Sequence, residues 1–293
     1  RWNPDNLDVA RSRSASFSPA AGSAAPGRRR LFVLLPAFNE EENLAACLAS
    51  VASLAAEIMV VDSFSTDRTG AIAREHGARL LQHEYVNSAA QKNWAIPQAR
   101  HEWILLVDAD ERVTPALAEE IAGLFRDGRP RHPGYWIRRR NHFLGREMKH
   151  GGWETDAVIR LFARDKARYS DREVHAEIDL PGPLPVLENR LLHYSIRSWR
   201  QYWPKIEKYT DWGASQALRD GKRSGTVSIV FRPLLRFFKM YVLRLGFLDG
   251  VEGAQLALLG AFSVYLKYAK LWELSRSSDR GGHALRDARR EGS

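Results

Sequence analysis

Residues 103–110 have the sequence WILLVDAD, in which five apolar residues precede two aspartates that flank one alanine. A short continuous apolar run is typical of a strand buried on both faces of a parallel sheet. Residues i and i+2 of an extended chain point the same way, so Asp108 and Asp110 can reach one cation or its water shell. Hard cations such as Mg²⁺ and Mn²⁺ prefer oxygen ligands. We therefore predict that both aspartates hold a metal ion where this strand ends.

Strand and helix patterns alternate on the N-terminal side of this segment. Apolar runs predict three further strands, at residues 31–35, 58–61 and 78–82. Helical spacing follows each of them, which is typical of a parallel α/β sheet with right-handed crossovers. Strand-like pieces at 134–138, 158–162 and 174–179 predict a mixed sheet and loops that complete the site. The fold class is therefore α/β, with helices flanking a mostly parallel sheet.

Carboxylates follow three of the predicted strands: Glu40 the first, Asp62 and Asp67 the second, and Asp108 and Asp110 the fourth. In doubly wound sheets, ligands bind outside the carboxyl ends of the strands. Like charges would repel one another there, so we expect a cation or a donor-rich ligand among them. A metal at this edge would screen the charge that develops on a diphosphate leaving group.

Composition narrows the function classes. Of 293 residues, 44% are hydrophobic, which is enough for a core, and the net charge of +9 favours an anionic partner. Cys47 is the single cysteine, which excludes an intramolecular disulfide and fits a reducing compartment. The sequence lacks the phosphate-binding loop of NTPases, the dinucleotide fingerprint and the hydrolase nucleophile turn. The histidines show no zinc-like spacing.

We expect four regions along the chain. They are a disordered leader at residues 1–30, a catalytic domain at 31–195, a membrane-associating helical region at 196–275 and a polar tail at 276–293. No segment shows the roughly 20 consecutive apolar residues that are typical of a membrane-spanning helix, and the leader lacks a secretory core. The expected location is the cytoplasm.

The helical region combines apolar and basic residues. Within 231–248, Arg232, Arg236 and Lys239 form a basic stripe beside an aromatic and aliphatic face, which suits the surface of an anionic bilayer. Residues 256–266 are more apolar but too short to span. We expect a peripheral protein on the inner face of the cytoplasmic membrane. The alternative is that these helices pack on the catalytic domain or on a second subunit, as in an oligomer. Nucleic acid is not an expected partner, because the basic residues are mixed with apolar helices.

Several motifs together resemble a known family. LLPAFNEEEN (34–43), VVDSFSTDRT (60–69), QKN (91–93) and DADER (108–112) are similar to the inverting family-2 glycosyltransferases of GT-A fold. RRNHFLG (139–145), HGGW (150–153), RLF (160–162), LHYS (192–195) and MYVLRLGFLDG (240–250) resemble the bacterial lipopolysaccharide inner-core β-glucosyltransferases. The resemblance runs from about Leu31 to Glu273. It implies a divalent cation, Mg²⁺ or Mn²⁺, and a nucleotide-sugar donor such as UDP-glucose. It also implies a lipid-linked saccharide acceptor such as the lipopolysaccharide core.

The resemblance also implies roles for individual residues. Those that would bind the donor are Pro36, Ala37, Asn39, Glu40, Asp62, Asp67, Lys92, Asn93 and Asp108. Among them, Asp62 would recognise the base, expected to be uracil. Asp108 and Asp110 would hold the ribose and the metal.

The catalytic base is where this chain departs from the family. Similar proteins have Asp-Arg-x-Val-His-Glu in this region, but here His175 is followed by Ala176 and then Glu177. Three alternatives remain: Glu177 acts after a local shift, Asp156 or another carboxylate is the base, or the chain is disabled at Ala176. The function is accordingly either an inverting hexosyl transfer or that of a catalytically silent homologue that binds nucleotide and docks on membranes.

Overall fold

The computed structural model describes residues 31–170 and 178–291, and for 278–291 it describes the backbone alone. The predictions for the leader and for His175, Ala176 and Glu177 lie outside these described residues. The chain folds into two compact units. The first comprises the described residues up to 141 together with those of Thr155–Tyr194, and the second comprises His142–Glu154 and the described residues from 195 onward.

The first unit begins with a parallel sheet. Its strands are β1 (Leu31–Ala37), β2 (Ala55–Asp62), β3 (Arg79–Gln82) and β4 (Trp103–Leu106), and its crossover helices are α1 (Leu44–Val51), α2 (Thr69–Glu75) and α3 (Ser88–Ala95). The strand order β3-β2-β1-β4 places β1 between β2 and β4, with parallel pairing throughout. The α/β prediction is confirmed.

Both faces of β1 are buried. Val33 and Leu35 belong to a core that α1 covers, while Phe32 and Leu34 belong to a second core on the other face. Every one of these four side chains is fully buried. This two-sided burial explains why the strand has a continuous apolar sequence rather than an alternating one.

Antiparallel pairing enters the sheet with its later strands. They are β5 (Glu111–Val113), β6 (Gly134–Phe143), β8 (Ala157–Ala163) and β11 (Val186–Ile196), with α4 (Pro115–Gly123) after β5. The order continues β4-β8-β6-β11-β5. A short separate ladder joins β9 (Arg168–Tyr169) to β10 (Ile178–Asp179). The sheet is therefore mixed: its first four strands pair in parallel, and antiparallel pairing joins β4 to β8, β8 to β6 and β11 to β5.

The first strand is longer in the structure than the sequence predicts. Strand β1 continues through Pro36 and Ala37, because its pairing with β2 extends to Ala37 although its pairing with β4 ends at Leu34. Helix α1 begins only at Leu44, because residues 41–43 form a turn. The carbonyl of Glu40 closes this turn by accepting the N–H of Asn43 at 2.9 Å.

The second unit is mainly helical. It contains β7 (Arg146–Glu147), α5 (Trp199–Arg219), α6 (Thr226–Phe238) and α7 (Gly250–Glu291), with a π-helical turn at Lys239–Leu243 and a 3₁₀ turn at Gly246–Asp249. Phe143, Met148, Ile206, Met240 and Leu256 form its core. Helix α7 packs so closely on the 3₁₀ turn that a Cβ atom at Gly253 would overlap the carbonyl of Gly246.

One stretch of the second unit is long and apolar enough to cross a membrane by length and composition, namely Gly246–Ser277. This differs from the expectation for residues 256–266, because the 3₁₀ turn and α7 join further apolar residues to them on both sides. Of its most apolar window, 28% is buried. Since core helices of soluble proteins can meet the same criteria, length and composition alone do not assign a span here.

Candidate active site

The loops that follow β1 and β2 are hydrogen-bonded to each other at the carboxyl edge of the sheet. The N–H of Asn39 donates to Ser65 Oγ at 2.8 Å, and Asn39 Oδ1 accepts the N–H of Thr66 at 2.9 Å. The N–H of Glu40 donates to Thr69 Oγ1 at 2.8 Å. Asn39 has a φ of 52°, a left-handed conformation that asparagine tolerates better than most residues. The two loops therefore form one continuous surface that can frame a ligand.

Asp62 and Asp67 organise the second of these loops. The buried carboxylate of Asp62 accepts hydrogen bonds from Ser65 and, at 3.2 Å, from Gln82 Nε2. Asp67 Oδ1 accepts the N–H of Thr69 at 2.9 Å. Burial would raise the pKa of Asp67, but the hydrogen bonds from Thr69 outweigh it and lower the pKa. Both aspartates thus fix the backbone of this loop.

Helix α3 brings Lys92 to the turn after β4. The buried ammonium Nζ lies 3.9 Å from Asp108 Oδ1 and 5.2 Å from the centre of the Tyr169 ring. Burial lowers the pKa of Lys92, and the charge of Asp108 opposes that effect. Its neighbour Asn93 donates to the carbonyl of Tyr169 and accepts its N–H, both at 2.9 Å. Lys92 therefore faces the site, whereas the amide of Asn93 ties β9 to α3.

Asp108 and Asp110 lie in the turn between β4 and β5. The turn is closed by Glu111, whose N–H donates to the Asp108 carbonyl at 2.8 Å and whose Oε2 accepts the Asp108 N–H at 3.0 Å. The side chains of Asp108 and Asp110 are 34% and 20% exposed. Asp62 and this turn lie on either side of the end of β1. Because neighbouring strands lie about 4.8 Å apart, the two are separated by about 10 Å. The structure thus brings the acidic residues of β2 and β4 to one edge.

A network of buried charges behind this turn was missed by the sequence analysis. Arg160, on β8, is buried and pairs with Asp108 and with Glu111 Oε1, the latter at 2.7 Å. Glu111 is fully buried and also accepts from Arg139 Nη1 at 3.2 Å. Arg139 in turn donates to both oxygens of Asp156, at 2.8 and 3.0 Å. Strands β6 and β8 therefore supply the cations that neutralise these three carboxylates.

The network continues to Asp110. Asn141 Nδ2 donates to Asp156 Oδ2 at 2.9 Å, and Asn141 Oδ1 lies 2.6 Å from His193 Nδ1. His193 Nε2 lies 3.6 Å from Asp110 Oδ2. We name the whole set the charge ring: Lys92, Asp108, Arg160, Glu111, Arg139, Asp156, Asn141, His193 and Asp110. The ring leads from one aspartate of the turn to the other.

The ring shifts the pKa of its members. Burial would raise the pKa of Asp108, but Arg160 and Lys92 hold it well below its ordinary value. Burial would likewise raise the pKa of Asp156, but the charge and hydrogen bonds of Arg139 lower it below its ordinary value. The pKa of Arg160 is raised by Asp108 and Glu111 despite its burial. Asp108 and Asp156 are therefore ionised at neutral pH, and Asp156 is a weak proton acceptor.

The donor set at the turn fits a cation that is held jointly with a ligand. Within the described residues, no three His, Cys, Asp or Glu side chains are grouped so as to hold a metal by themselves. Mg²⁺ is commonly bound by one or two carboxylates, with substrate phosphates and water completing the shell. Asp108 and Asp110 match that requirement, so the turn fits a metal–diphosphate complex rather than a free ion.

Comparison with known proteins identifies the family. Residues 32–178, half of the chain, match the family described as glycosyl transferase family 2. The chain belongs to this family. This membership confirms the resemblance inferred from the motifs, and the α/β sheet agrees with the expected GT-A fold.

Two relatives illustrate the similarity of this glycosyltransferase to others. LpsC, a lipopolysaccharide core biosynthesis glycosyltransferase of Rhizobium meliloti, is 29% identical over 245 residues, which cover 79% of this chain and 90% of LpsC. An uncharacterized glycosyltransferase of Rickettsia typhi is 27% identical over 250 residues, covering 82% of this chain and 86% of that protein. The similarity therefore extends over most of each protein.

Among solved structures, the glycosyltransferase is similar to glucosyl-3-phosphoglycerate synthase from Mycobacterium tuberculosis in complex with Mg²⁺ and uridine diphosphate. The identity is 19% and the TM-score 0.36, over 47% of this chain and 57% of the synthase.

Glu111→Gln tests the energetic weight of the charge ring. The substitution removes the charge that buried Arg160 and half-buried Arg139 share, so we expect a loss of about 3 kcal/mol in the free energy of unfolding, measured in urea. The matched control is Glu75→Gln, which breaks an exposed pair with Arg68 and should cost less than about 1 kcal/mol. Equal losses in the two variants would contradict a structural role for the ring.

Proposed function

We propose that this glycosyltransferase transfers a hexose, glucose, with inversion from a uridine diphosphate sugar to a lipopolysaccharide core or another lipid-linked saccharide. The observation that carries the proposal is the Asp108–Asp110 turn beside the joined loops of β1 and β2. LpsC supports the acceptor class, since it is named for lipopolysaccharide core biosynthesis and aligns with most of this chain. The choice of glucose rests on the motif resemblance.

The donor would bind across the ends of β1, β2 and β4. Pro36, Ala37, Asn39 and Glu40 would frame the nucleotide, and the loop that Asp62 and Asp67 organise would meet the base. Lys92 stands beside Asp108, where the diphosphate of a metal-bound donor would lie. A divalent cation held by Asp108 and Asp110 would stabilise the charge on the leaving diphosphate. Asn93 would contribute by holding β9 in position.

The acceptor hydroxyl must lose a proton as its oxygen attacks the anomeric carbon. A general base works best when its pKa lies near the operating pH. Asp156 has a lowered pKa and accepts three hydrogen bonds from Arg139 and Asn141, so it is poorly suited to the task. We therefore favour the account in which Ala176 replaces the base, with Glu177 as the alternative. In that account the chain retains donor binding and transfers about 10²–10⁴-fold more slowly than with a base, and the silent homologue stays the alternative function.

The second unit carries a surface suited to a membrane. Helix α6 has no buried residue. The exposed large apolar side chains of this helix and the turns that follow it are Val227, Val230, Phe231, Leu234, Leu235, Phe238, Val242, Leu243, Leu245, Phe247 and Leu248. Large exposed apolar patches mark interaction sites. Arg232, Arg236, Lys239 and Arg244 lie among them, and this combination favours an anionic bilayer over a neutral partner. We propose that this helical region, 196–275, holds the enzyme on the inner face of the cytoplasmic membrane.

Donor binding can be tested by thermal shift with Mn²⁺ and UDP-glucose, UDP-galactose, UDP-GlcNAc or ADP-heptose. UDP-glucose should stabilise the protein most, by about 2.7 kcal/mol when its concentration is 100 times its dissociation constant. Asp110→Asn should remove the metal-dependent part of the shift. The absence of any shift with the uridine donors would refute the proposal.

Ala176→Glu tests the base. Because a general base contributes about 10²–10⁴-fold in rate, the variant should gain turnover by that factor with an unchanged dissociation constant for UDP. Ala176→Gln, which adds a similar volume without a base, is the matched control. If Ala176→Glu transfers no faster than the original chain, the disabled-base account is wrong and Glu177 becomes the leading candidate.

Membrane binding can be measured by flotation with liposomes. Vesicles with anionic lipid should retain the protein. High salt should release it, because salt screens the attraction between the basic residues and the anionic lipid. Leu235→Glu should weaken binding about tenfold, because it removes one apolar side chain that the bilayer would bury. Val86→Glu is the matched control, since the two side chains are 65% and 66% exposed. If the bound fraction changes neither with lipid charge nor with salt, the proposal is wrong.

A further inference from the structure

A cleft opens in the first unit at the edge of the sheet opposite to the Asp108–Asp110 turn. It consists of two adjoining cavities of about 330 and 410 Å³, which share Glu102, Trp103 and Arg129. Trp103 is the first residue of β4, whereas Asp108 follows the end of that strand. Five residues of strand span about 17 Å. The cleft is therefore separate from the site to which we assign the donor.

Main-chain hydrogen bonds join the walls of this cleft. The N–H of Ala163 donates to the carbonyl of Pro133 at 2.9 Å, and the N–H of Arg164 donates to the carbonyl of Glu102 at 2.8 Å. These bonds connect the start of β4, the segment that precedes β6 and the 3₁₀ turn that follows β8. The walls are thus fixed relative to one another before any ligand binds, which lowers the entropic cost of binding.

The cleft has an excess of positive charge. Four arginines and one lysine line the two cavities, against two carboxylates, Glu102 and Asp165. Glu102 is already paired with Arg129 at 2.9 Å. In the part of the chain that the structure describes, three of the lining cations form no ion pair: Arg131, Arg164 and Lys166. An anion in the cleft would supply the missing counter-charge.

Two of these cations are held in place. Arg164 Nη1 donates to the carbonyl of Ala99 at 2.6 Å, a neutral acceptor that leaves the charge of the guanidinium unbalanced. Arg131 lies between Pro130 and Pro133, and the fixed φ angles of the prolines restrict the segment that carries it. The planar donors of arginine match the oxygens of phosphate.

We propose that this cleft binds a phosphate-bearing anion, with Arg131, Arg164 and Lys166 as its ligands. A phosphate monoester carries about two negative charges at neutral pH, which suits three converging cations better than the single charge of a carboxylate. The phosphate belongs either to a soluble phosphate or diphosphate or to a lipid head group. The inference is independent of the proposed function, because it concerns other residues and needs no metal.

The first test is calorimetry of inorganic pyrophosphate with the chain in a chelator, which removes the cation that the donor site would need. Pyrophosphate should bind to the original chain. Arg131→Gln together with Lys166→Gln should weaken binding more than about tenfold, because two charge-assisted contacts are lost. The matched control is Arg74→Gln together with Arg126→Gln, which removes two exposed arginines outside the cleft and should leave the dissociation constant unchanged.

The second test locates the ligand without any variant. Lysines are acylated chemically and the extent of reaction at each is measured by mass spectrometry. Pyrophosphate should slow the acylation of Lys166 and leave that of Lys205, an exposed lysine of the second unit, unchanged. Protection of Lys166 by vesicles that contain phosphatidic acid, but not by pyrophosphate, would assign the phosphate to a lipid head group.

Two outcomes would overturn the inference. Equal weakening in the two double variants would mean that pyrophosphate responds to net charge alone. Unchanged acylation of Lys166 with both probes would mean that the cleft holds no phosphate. Neither outcome bears on the transferase, because the variant with Arg131→Gln and Lys166→Gln should still bind UDP with Mn²⁺.

Discussion

The site depends on one buried carboxylate. Glu111 is fully buried, and an ionised group at such a position is tolerated only when cations and hydrogen bonds surround it. Arg160 and Arg139 supply the cations, and its second oxygen accepts the N–H of Asp108. The same carboxylate therefore neutralises two arginines and shapes the turn that presents Asp108 and Asp110. A change at Glu111 acts on the fold and on the site together.

The charge ring also joins the two kinds of strand in the sheet. Asp108 follows parallel strand β4, whereas Arg160 lies on β8, which is antiparallel to it. Arg139 lies on β6 and His193 on β11, which pairs with β5. The turn after parallel strand β4 thus provides Asp108 and Asp110, and β8 and β6 provide the arginines that pair with Asp108 and Glu111. Neither part of the sheet could present this site alone, because an unpaired buried charge is strongly unfavourable.

The sequence predicted the parallel part well because its signals are local. The apolar run of β1 and the aspartates after β4 lie within a few residues of one another in the chain, so periodicity and spacing reveal them. Arg160 reaches Asp108 only because Leu105 pairs with Leu161, an antiparallel register that no local pattern encodes. All residues of the ring except Asp156 lie in the quoted motif segments, but without the register their charges had no assigned partners. The boundary at Pro36 was missed for a similar reason, since β2 alone sustains the pairing there.

The charge balance of the ring bears on how a cation would be held. Lys92, Arg139 and Arg160 offset Asp108, Glu111 and Asp156, which leaves the carboxylate of Asp110 as the charge that no lysine or arginine of the ring offsets. A single carboxylate attracts a divalent ion only weakly. A diphosphate adds several oxygens and further negative charge, so the complex of metal and nucleotide suits this site better than the metal alone. In the proposed function, the cation would therefore depend on the donor, and the donor's leaving group would depend on the cation.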